Sequence, residues 1–319
     1  MKQIIALFAG IDISKSTLDV ALSDGRQVMT FSNSPAGCQK LIRYLQKNKV
    51  CRVLFEATGI YDRELEENLV KSSIEASKLN SGRSRQLASC LGYSAKTDNI
   101  DARMLAHAAC LNIVIPPCRI RTSHEKALEE LVKERHNLIA ARTAVKNQMQ
   151  ALRLPETLKR SQKRLEIINL QIQEIDDQIE DVRQDDEELN RRFKILTSIK
   201  GIGTVAANTL LALMPETGTL ENKQIASLAG LAPYARQSGS WVGKSHISKG
   251  RAKLRSALYM PAIVAIRFNP DMKRVHENLL KRGKPFKLAI VAVMRKLLIL
   301  ANTLIKQNRM WNKNYAFET

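Results

Sequence analysis

The sequence predicts an α/β domain at the N-terminus, then a helical hairpin, then a mostly helical and strongly basic domain. Three observations carry this. Short β-rich runs alternate with helical stretches as far as residue 112, the pattern of a sheet flanked by helices. From residue 124 apolar side chains recur at heptad spacing. Beyond residue 190 basic residues outnumber acidic ones 23 to 5.

The elements follow in order. Residues 3–12 (QIIALFAGID) read as a strand ending on a carboxylate. Residues 17–23 and 26–32 read as two more strands, with Asp24-Gly25 as the hairpin turn between them. A helix is expected over 36–48, a buried strand over 51–59 (CRVLFEATG), a helix over 61–73 and a short strand over 74–80. Helices near 83–92 and 98–112 complete the domain. This order implies a mixed sheet and is compatible with an RNase H-like fold.

In the hairpin, Leu165, Ile168, Ile172, Ile175, Ile179 and Val182 fall at alternating spacings of 3 and 4. Leu128, Leu131, Leu138, Val145, Met149 and Leu152 make a looser seam upstream. The residue before a proline avoids helical geometry, so Leu154-Pro155 marks the bend. Such a coiled-coil hairpin serves either as a spacer within one chain or as a dimerisation arm, and the regular seam favours the arm.

With 319 residues the chain exceeds what one core usually organises, and the expected domains are 1–123, 124–190 and 191–319. Their charge balances are +6, −4 and +18 within a net +20. So much positive charge in one domain points to a polyanionic partner, nucleic acid first. The basic domain opens with ILTSIKGIGTVAANTLLALM (195–214), where Lys200, Gly201 and Gly203 lie between two helical stretches. Glycines there let backbone N–H groups and a helix N-terminus approach a phosphate, although a plain helix–helix turn has the same appearance. A Gly- and Ser-rich run (228–250), a basic stretch (251–268) and a helix near 286–305 follow. Lys244, Lys249, Arg251, Lys253 and Arg255 are candidate phosphate contacts.

Five scattered cysteines, without CxxC or Cys/His clusters, read as free and mostly buried thiols of a reducing compartment. Asp12 interrupts the opening apolar run, which argues against a signal peptide, and no run approaches the roughly 20 residues of a membrane span. A cytoplasmic protein without a membrane partner is expected.

The chemistry concentrates in carboxylates. Asp12 and Glu56 each end a run that otherwise reads as buried, where an unpaired charge is costly. Asp98 and Asp101 are three apart and share a face if KTDNIDARML is helical, with Asp98 or Thr97 as its cap. Four carboxylates together repel one another unless divalent cations sit among them, and their hard oxygens suit Mg²⁺ or Mn²⁺.

GIDISK (10–15), FEATG (55–59) and KTDNIDARMLA (96–106), then SIKGIG, LAGLAPYARQSGS and LRSALYMPA, stand in one order along nearly the whole chain. Together they resemble the DEDD transposases of insertion-sequence family one-ten, relatives of the Piv/MooV DNA invertases. The resemblance implies a RuvC-like N-terminal domain whose acidic quartet is Asp12, Glu56, Asp98 and Asp101, and a C-terminal transposase domain with a serine nucleophile. By the family's pattern that serine is Ser238; the residues alone do not separate it from Ser240, Ser245 or Ser248. Double-stranded donor and target DNA, a structured noncoding guide RNA and a dimer or tetramer are the partners the resemblance implies. A RuvC-like endonuclease using water and a non-catalytic DNA-binding protein are the competing readings. GIDISK also resembles a phosphate loop of actin-like sugar kinases, but the later glycine-rich nucleotide motifs of that fold are missing from the sequence.

Overall fold

The computed structural model describes residues 6–93, 97–111, 115, 117–234, 237–238, 241–243 and 245–312. They form two compact units, Met1–Arg121 and Thr122–Thr319.

The first unit is built on a five-stranded sheet of β1 (Leu7–Ile13), β2 (Thr17–Leu22), β3 (Met29–Ser32), β4 (Val50–Glu56) and β5 (Glu75–Leu79), in the order β3-β2-β1-β4-β5. β1, β2 and β3 pair antiparallel, while β4 and β5 run parallel to β1. The sheet is therefore mixed, as the element order predicts. Side chains alternate between its faces. Ile11, Val20, Val53 and Phe55 point to one face and share a core with Leu41 and Leu45 of α1 (Pro35–Lys47) and Leu65 and Leu69 of α2 (Arg63–Lys71). Fully burying such a side chain stabilises the fold by about 1.5–3 kcal/mol. Helix α1 begins where Ser34 accepts a hydrogen bond from the Gly37 amide, with Pro35 in the first turn.

The other face packs α4 (Asp98–Cys110), with α3 (Ser81–Cys90) beside it. Leu54 and Leu79 from the sheet join Met104, Leu105, Ala108 and Ala109 there. Gly10 is what allows α4 so close. A Cβ on it would lie 2.1 Å from the Ala106 amide nitrogen and 2.2 Å from the Ala102 carbonyl oxygen.

The second unit starts with the hairpin of α5 (Ser123–Met149) and α6 (Pro155–Gln184). Pairing of Arg135 with Asp176 and of Arg142 with Asn169 shows the helices running antiparallel. Ile172 and Ile179 of the regular seam are buried within this one chain. At its base, Leu128, Val132 and Ile179 join the core of α7 (Glu187–Ser198), α8 (Thr204–Leu213), α9 (Asn222–Leu228), α10 (Ala252–Phe268), α11 (Pro270–Lys281) and α12 (Phe286–Lys306). Hairpin and basic region are thus one unit, where three separate parts are expected from composition. The shared apolar base explains this.

Helix α12 is long and apolar enough by length and composition to cross a membrane, although Arg295-Lys296 interrupts its apolar run. Its Ile290, Val293, Leu297 and Leu298 are fully buried, so it is the central helix of this core. The cysteines also depart from expectation. All five are free, but Cys51, Cys90 and Cys110 are exposed and only Cys38 is buried, with Cys118 intermediate.

Candidate active site

The four predicted carboxylates gather at one end of the first unit. Asp12 is the penultimate residue of β1, and Glu56 is the last of β4. The parallel register pairs Ile11 with Phe55, so one step further Asp12 comes level with Glu56 on neighbouring strands, about 4.8 Å apart in backbone spacing. Asp12 shares its face with Gly10, and Glu56 shares its face with Leu54, the face that α4 covers. Asp98 and Asp101 occupy the first turn of α4. Asp101 directly precedes the Ala102–Ala106 stretch pressed onto Gly10 and Asp98 lies about one turn before it, so that contact carries the first turn to the strand ends. Thr97 caps the helix by accepting from the Ile100 amide at 3.3 Å, so Asp98 is not the cap. The helix dipole favours negative charge in this first turn by about 0.3–1 kcal/mol per group.

The gathering has an electrostatic consequence at Asp12. Asp12 is pushed up from its ordinary 3.8 to about 6, chiefly by burial and then by the negative charges of Asp101, Asp98 and Glu56. Among the described residues the carboxylates are not closed into a ready-made cluster of three or more metal ligands. Their chemistry nevertheless fits a hard divalent cation, because all donors are carboxylate oxygens and their charges add to burial in raising Asp12.

Glu56 is steadied by the turn that follows it. The Ala57 amide donates to the Leu79 carbonyl at 2.7 Å, and the Thr58 amide donates to Asp62 Oδ2 at 3.1 Å. Asp62 is only 1% exposed and also accepts from Lys78 Nζ at 3.2 Å; Lys78 pairs in turn with Glu66.

One acidic residue escaped the sequence reading. Asp19 of β2 stands directly opposite Asp12 in the antiparallel register, on the same face, and is 8% exposed. It accepts from Thr30 Oγ1 at 2.5 Å. The alternation of TLDVALS hides it, since a polar residue in a half-buried strand usually points to solvent. The antiparallel register of β1 and β2 is the signal that would have found it.

In the second unit the Gly- and Ser-rich run forms nested hairpin arms. β6 (Pro233–Tyr234) pairs with β9 (His246–Ile247), and inside them β7 (Gln237–Ser238) pairs with β8 (Trp241–Val242). Ser238 is exposed and is the register partner of Trp241 in the inner backbone pair. Ser240 and Lys244 lie outside the described residues. The base of the arms is fixed where Gly230 and Gly250, both at positive φ, bring their backbones together; a Cβ on Gly250 would lie 2.2 Å from the Gly230 nitrogen.

The predicted phosphate contacts have divergent surroundings. Gly203 starts α8 with no side-chain cap and open space around it, and Lys200 is exposed nearby in sequence. Gly201 has another task. At φ +113° it packs against Ala265 of α10, only 2.6 Å from where a Cβ would sit, so its conformation serves helix packing. Arg251 is engaged by Glu216 through two contacts of 2.6 and 2.7 Å and also donates to the Leu213 carbonyl at 2.9 Å. Its charge is matched within the fold. Arg255 donates to the Lys249 carbonyl. Lys249 and Lys253 are exposed, with Lys249 Nζ 5.8 Å from the centre of the Tyr234 ring.

Comparison with known proteins extends this picture. Residues 9–155 match a family model described as Transposase, of the IS110 DEDD kind, and residues 193–277 match the Transposase IS116/IS110/IS902 family. The chain is 31% identical over 318 residues to the pilin gene-inverting protein of Moraxella bovis, covering 96% of this chain and 98% of that one. The protein of the same name from Moraxella lacunata is equally similar, also 31% identical over 318 residues. An uncharacterised insertion element IS110 protein of Streptomyces coelicolor is 28% identical over 104 residues, 32% of this chain and 26% of that one. The first match contains all four carboxylates and the second begins just before Lys200, and with near-complete coverage of the Moraxella proteins they place the chain in the IS110 family of transposases, enzymes that break and rejoin DNA strands.

Proposed function

We propose that the chain is a DNA recombinase in which Asp12, Glu56, Asp98 and Asp101 hold divalent metal, Mg²⁺ or Mn²⁺, and Ser238 is the nucleophile. The observation that carries this reading is the convergence of Glu56, Asp98 and Asp101 on Asp12, whose carboxyl is raised to about 6 by burial first and then by these three negative charges. Mutual repulsion of that kind persists in a fold where a cation offsets it. When bound, the metal supplies positive charge to the phosphate oxygens, on an RNase H-like sheet that holds the carboxylates rigidly.

Asp12 and Glu56 sit on strand ends, so their positions are fixed by the sheet register. Asp98 and Asp101 ride on α4. Ser238, at the exposed inner hairpin, attacks the DNA phosphorus through Oγ. The Oγ–P bond forms, one P–O ester bond of the strand breaks, and the released DNA hydroxyl takes up the proton. Reversal on a new hydroxyl reseals the strand without ATP. Lys200, Gly203, Lys249, Lys253 and Lys244 contribute phosphate contacts, while Arg251 is reserved for Glu216. Exchange between two duplexes takes several active sites, so the working form is a dimer or tetramer. A structured noncoding RNA guides site choice, and sequencing of nucleic acid that copurifies with the protein reveals it or shows there is none.

The test is a denaturing gel of the full chain with its element-end DNA and Mg²⁺. A covalent protein–DNA adduct that digests to phosphoserine at Ser238 and vanishes in Ser238→Ala is expected. Cleavage to free ends with no adduct would replace the serine by water.

A further inference from the structure

An open cavity of about 430 Å³ lies in the second unit, lined by Ile247, Arg255, Ser256, Tyr259, Val291 and Met294. Its volume falls within the ~300–1,000 Å³ of small-ligand sites. The wall comes from β9, the strand that anchors the Ser238 hairpin arms, and from α10 and α12.

Two features define what fits. The first is charge. Residues 222–270 and 278–317, which supply every lining residue, contain no Asp or Glu but eight and nine Lys or Arg respectively. The segments that line the cavity thus carry an excess of positive charge, and long-range attraction favours a polyanion. The second is the shape of the polar groups. Arg255 donates to the Lys249 carbonyl, which fixes the plane of its guanidinium. Tyr259 is 41% exposed, an unusual position for a ring at an apolar cavity. Ile247, Val291 and the 4%-exposed Met294 supply apolar surface, and Ser256 one hydroxyl. A planar guanidinium, an aromatic ring and apolar surface accept a flat heteroaromatic group, with the hydroxyl available to its edge.

We propose that this cavity takes an unpaired base of a DNA strand held by the enzyme. The proposal rests on the reading of the chain as a DNA recombinase, and it deepens that reading by assigning a place for a base that leaves the stack near the broken strand. Unstacking has a free-energy cost, which stacking on Tyr259 and Arg255 offsets.

The experiment measures binding of the full chain to a fluorescent single strand of about a dozen nucleotides, to the same sequence as duplex, and to the same sequence as RNA. Tyr259→Ala weakens single-strand DNA binding about tenfold and leaves duplex binding within about twofold, while Tyr259→Phe behaves as wild type because stacking is kept. Ser256→Trp, which fills the cavity from an exposed position, gives the same selective loss. Thermal melting of each variant shows that the fold is retained. Equal loss on single strand and duplex overturns the proposal, as does unchanged single-strand binding in Tyr259→Ala. Either result, with duplex binding and strand cleavage intact in the wild-type protein, leaves the recombinase reading standing. Preference for RNA with the same Tyr259 dependence overturns the assignment to DNA. Wild-type protein that binds neither form of DNA removes both readings together.

Discussion

Gly10 of β1 lies directly beneath Ala106 of α4, so close that a single methyl group on Gly10 would come within 2.1 Å of the Ala106 amide nitrogen. This contact sets the height of α4 above the sheet, and with it the position of Asp98 and Asp101 relative to Asp12. Gly10→Ala must push α4 away or leave the strand distorted. It is expected to cost several kcal/mol, and calorimetric melting should show the first unit destabilised or unfolded. Gly203→Ala is the control. Nothing lies within 4 Å of a Cβ there and φ is −89°, so its melting should shift by less than about 1 kcal/mol.

Asp12→Asn should remove activity and stabilise the metal-free fold. The folded carboxyl binds its proton more tightly than the unfolded one, with an affinity raised from 3.8 to about 6. Its ionisation therefore costs nothing below pH 3.8, costs progressively more up to about pH 6, and carries the full penalty above that. Asn has no charge to accommodate. Above pH 7 the metal-free variant should be more stable by on the order of 1 kcal/mol, allowing for solvent screening of a half-exposed group. Near pH 4 the difference should fade. Equal stability at both pH values would mean that neither burial nor the neighbouring carboxylates raise Asp12.

The thiols should divide by environment. Burial, with Glu64 nearby, holds Cys38 up at about 11; burial and then Glu66 hold Cys118 at about 12. Thiolate is the reactive form, so neither should react with a disulfide reagent at pH 8 until the protein unfolds. Cys51, Cys90 and Cys110 are exposed and should react in the folded state. Prompt labelling of all five would contradict the packing around Cys38.

Arg251→Ala should act on stability before it acts on DNA. Its two contacts with Glu216 and its bond to Leu213 tie α10 to the end of α8. Loss of this charge-assisted pair is expected to cost about 1–3 kcal/mol in chemical denaturation. Lys249→Ala and Lys253→Ala should instead weaken DNA binding evenly across sequences and flatten its salt dependence, with melting unchanged. A DNA-binding defect in Arg251→Ala without lost stability would reverse this division.

The strands and helices around the carboxylates were legible because their apolar runs are short, alternating or helical in period, and bounded by turn residues. Asp24-Gly25 and Leu154-Pro155 are such boundaries. The fit of Gly10 under α4 was not legible, since nothing local in GIDISK distinguishes a glycine needed for packing from one needed for a turn. Asp19 was hidden for a related reason: its importance lies in register, a pairing between strands. In the second unit, Asn269 caps α11 by accepting from the Asp271 and Met272 amides, with Pro270 following. That start signal is local and could have been read. The two-residue strands β6 to β9 leave no periodicity to read. The heptad seam of α6 was legible as a seam, but a seam does not name its partner, and here Ile172 and Ile179 are buried against the same chain.

The account depends most on the carboxylates as a metal centre. Calorimetric titration of Mn²⁺ into the purified full chain, run beside a strand-cleavage assay, tests this directly. Wild-type protein should bind Mn²⁺ and cleave only in its presence or that of Mg²⁺. Asp12→Ala and Glu56→Ala should lose both binding and cleavage while melting as folded proteins. Undiminished Mn²⁺ binding in both variants, or cleavage that survives chelation, would contradict it.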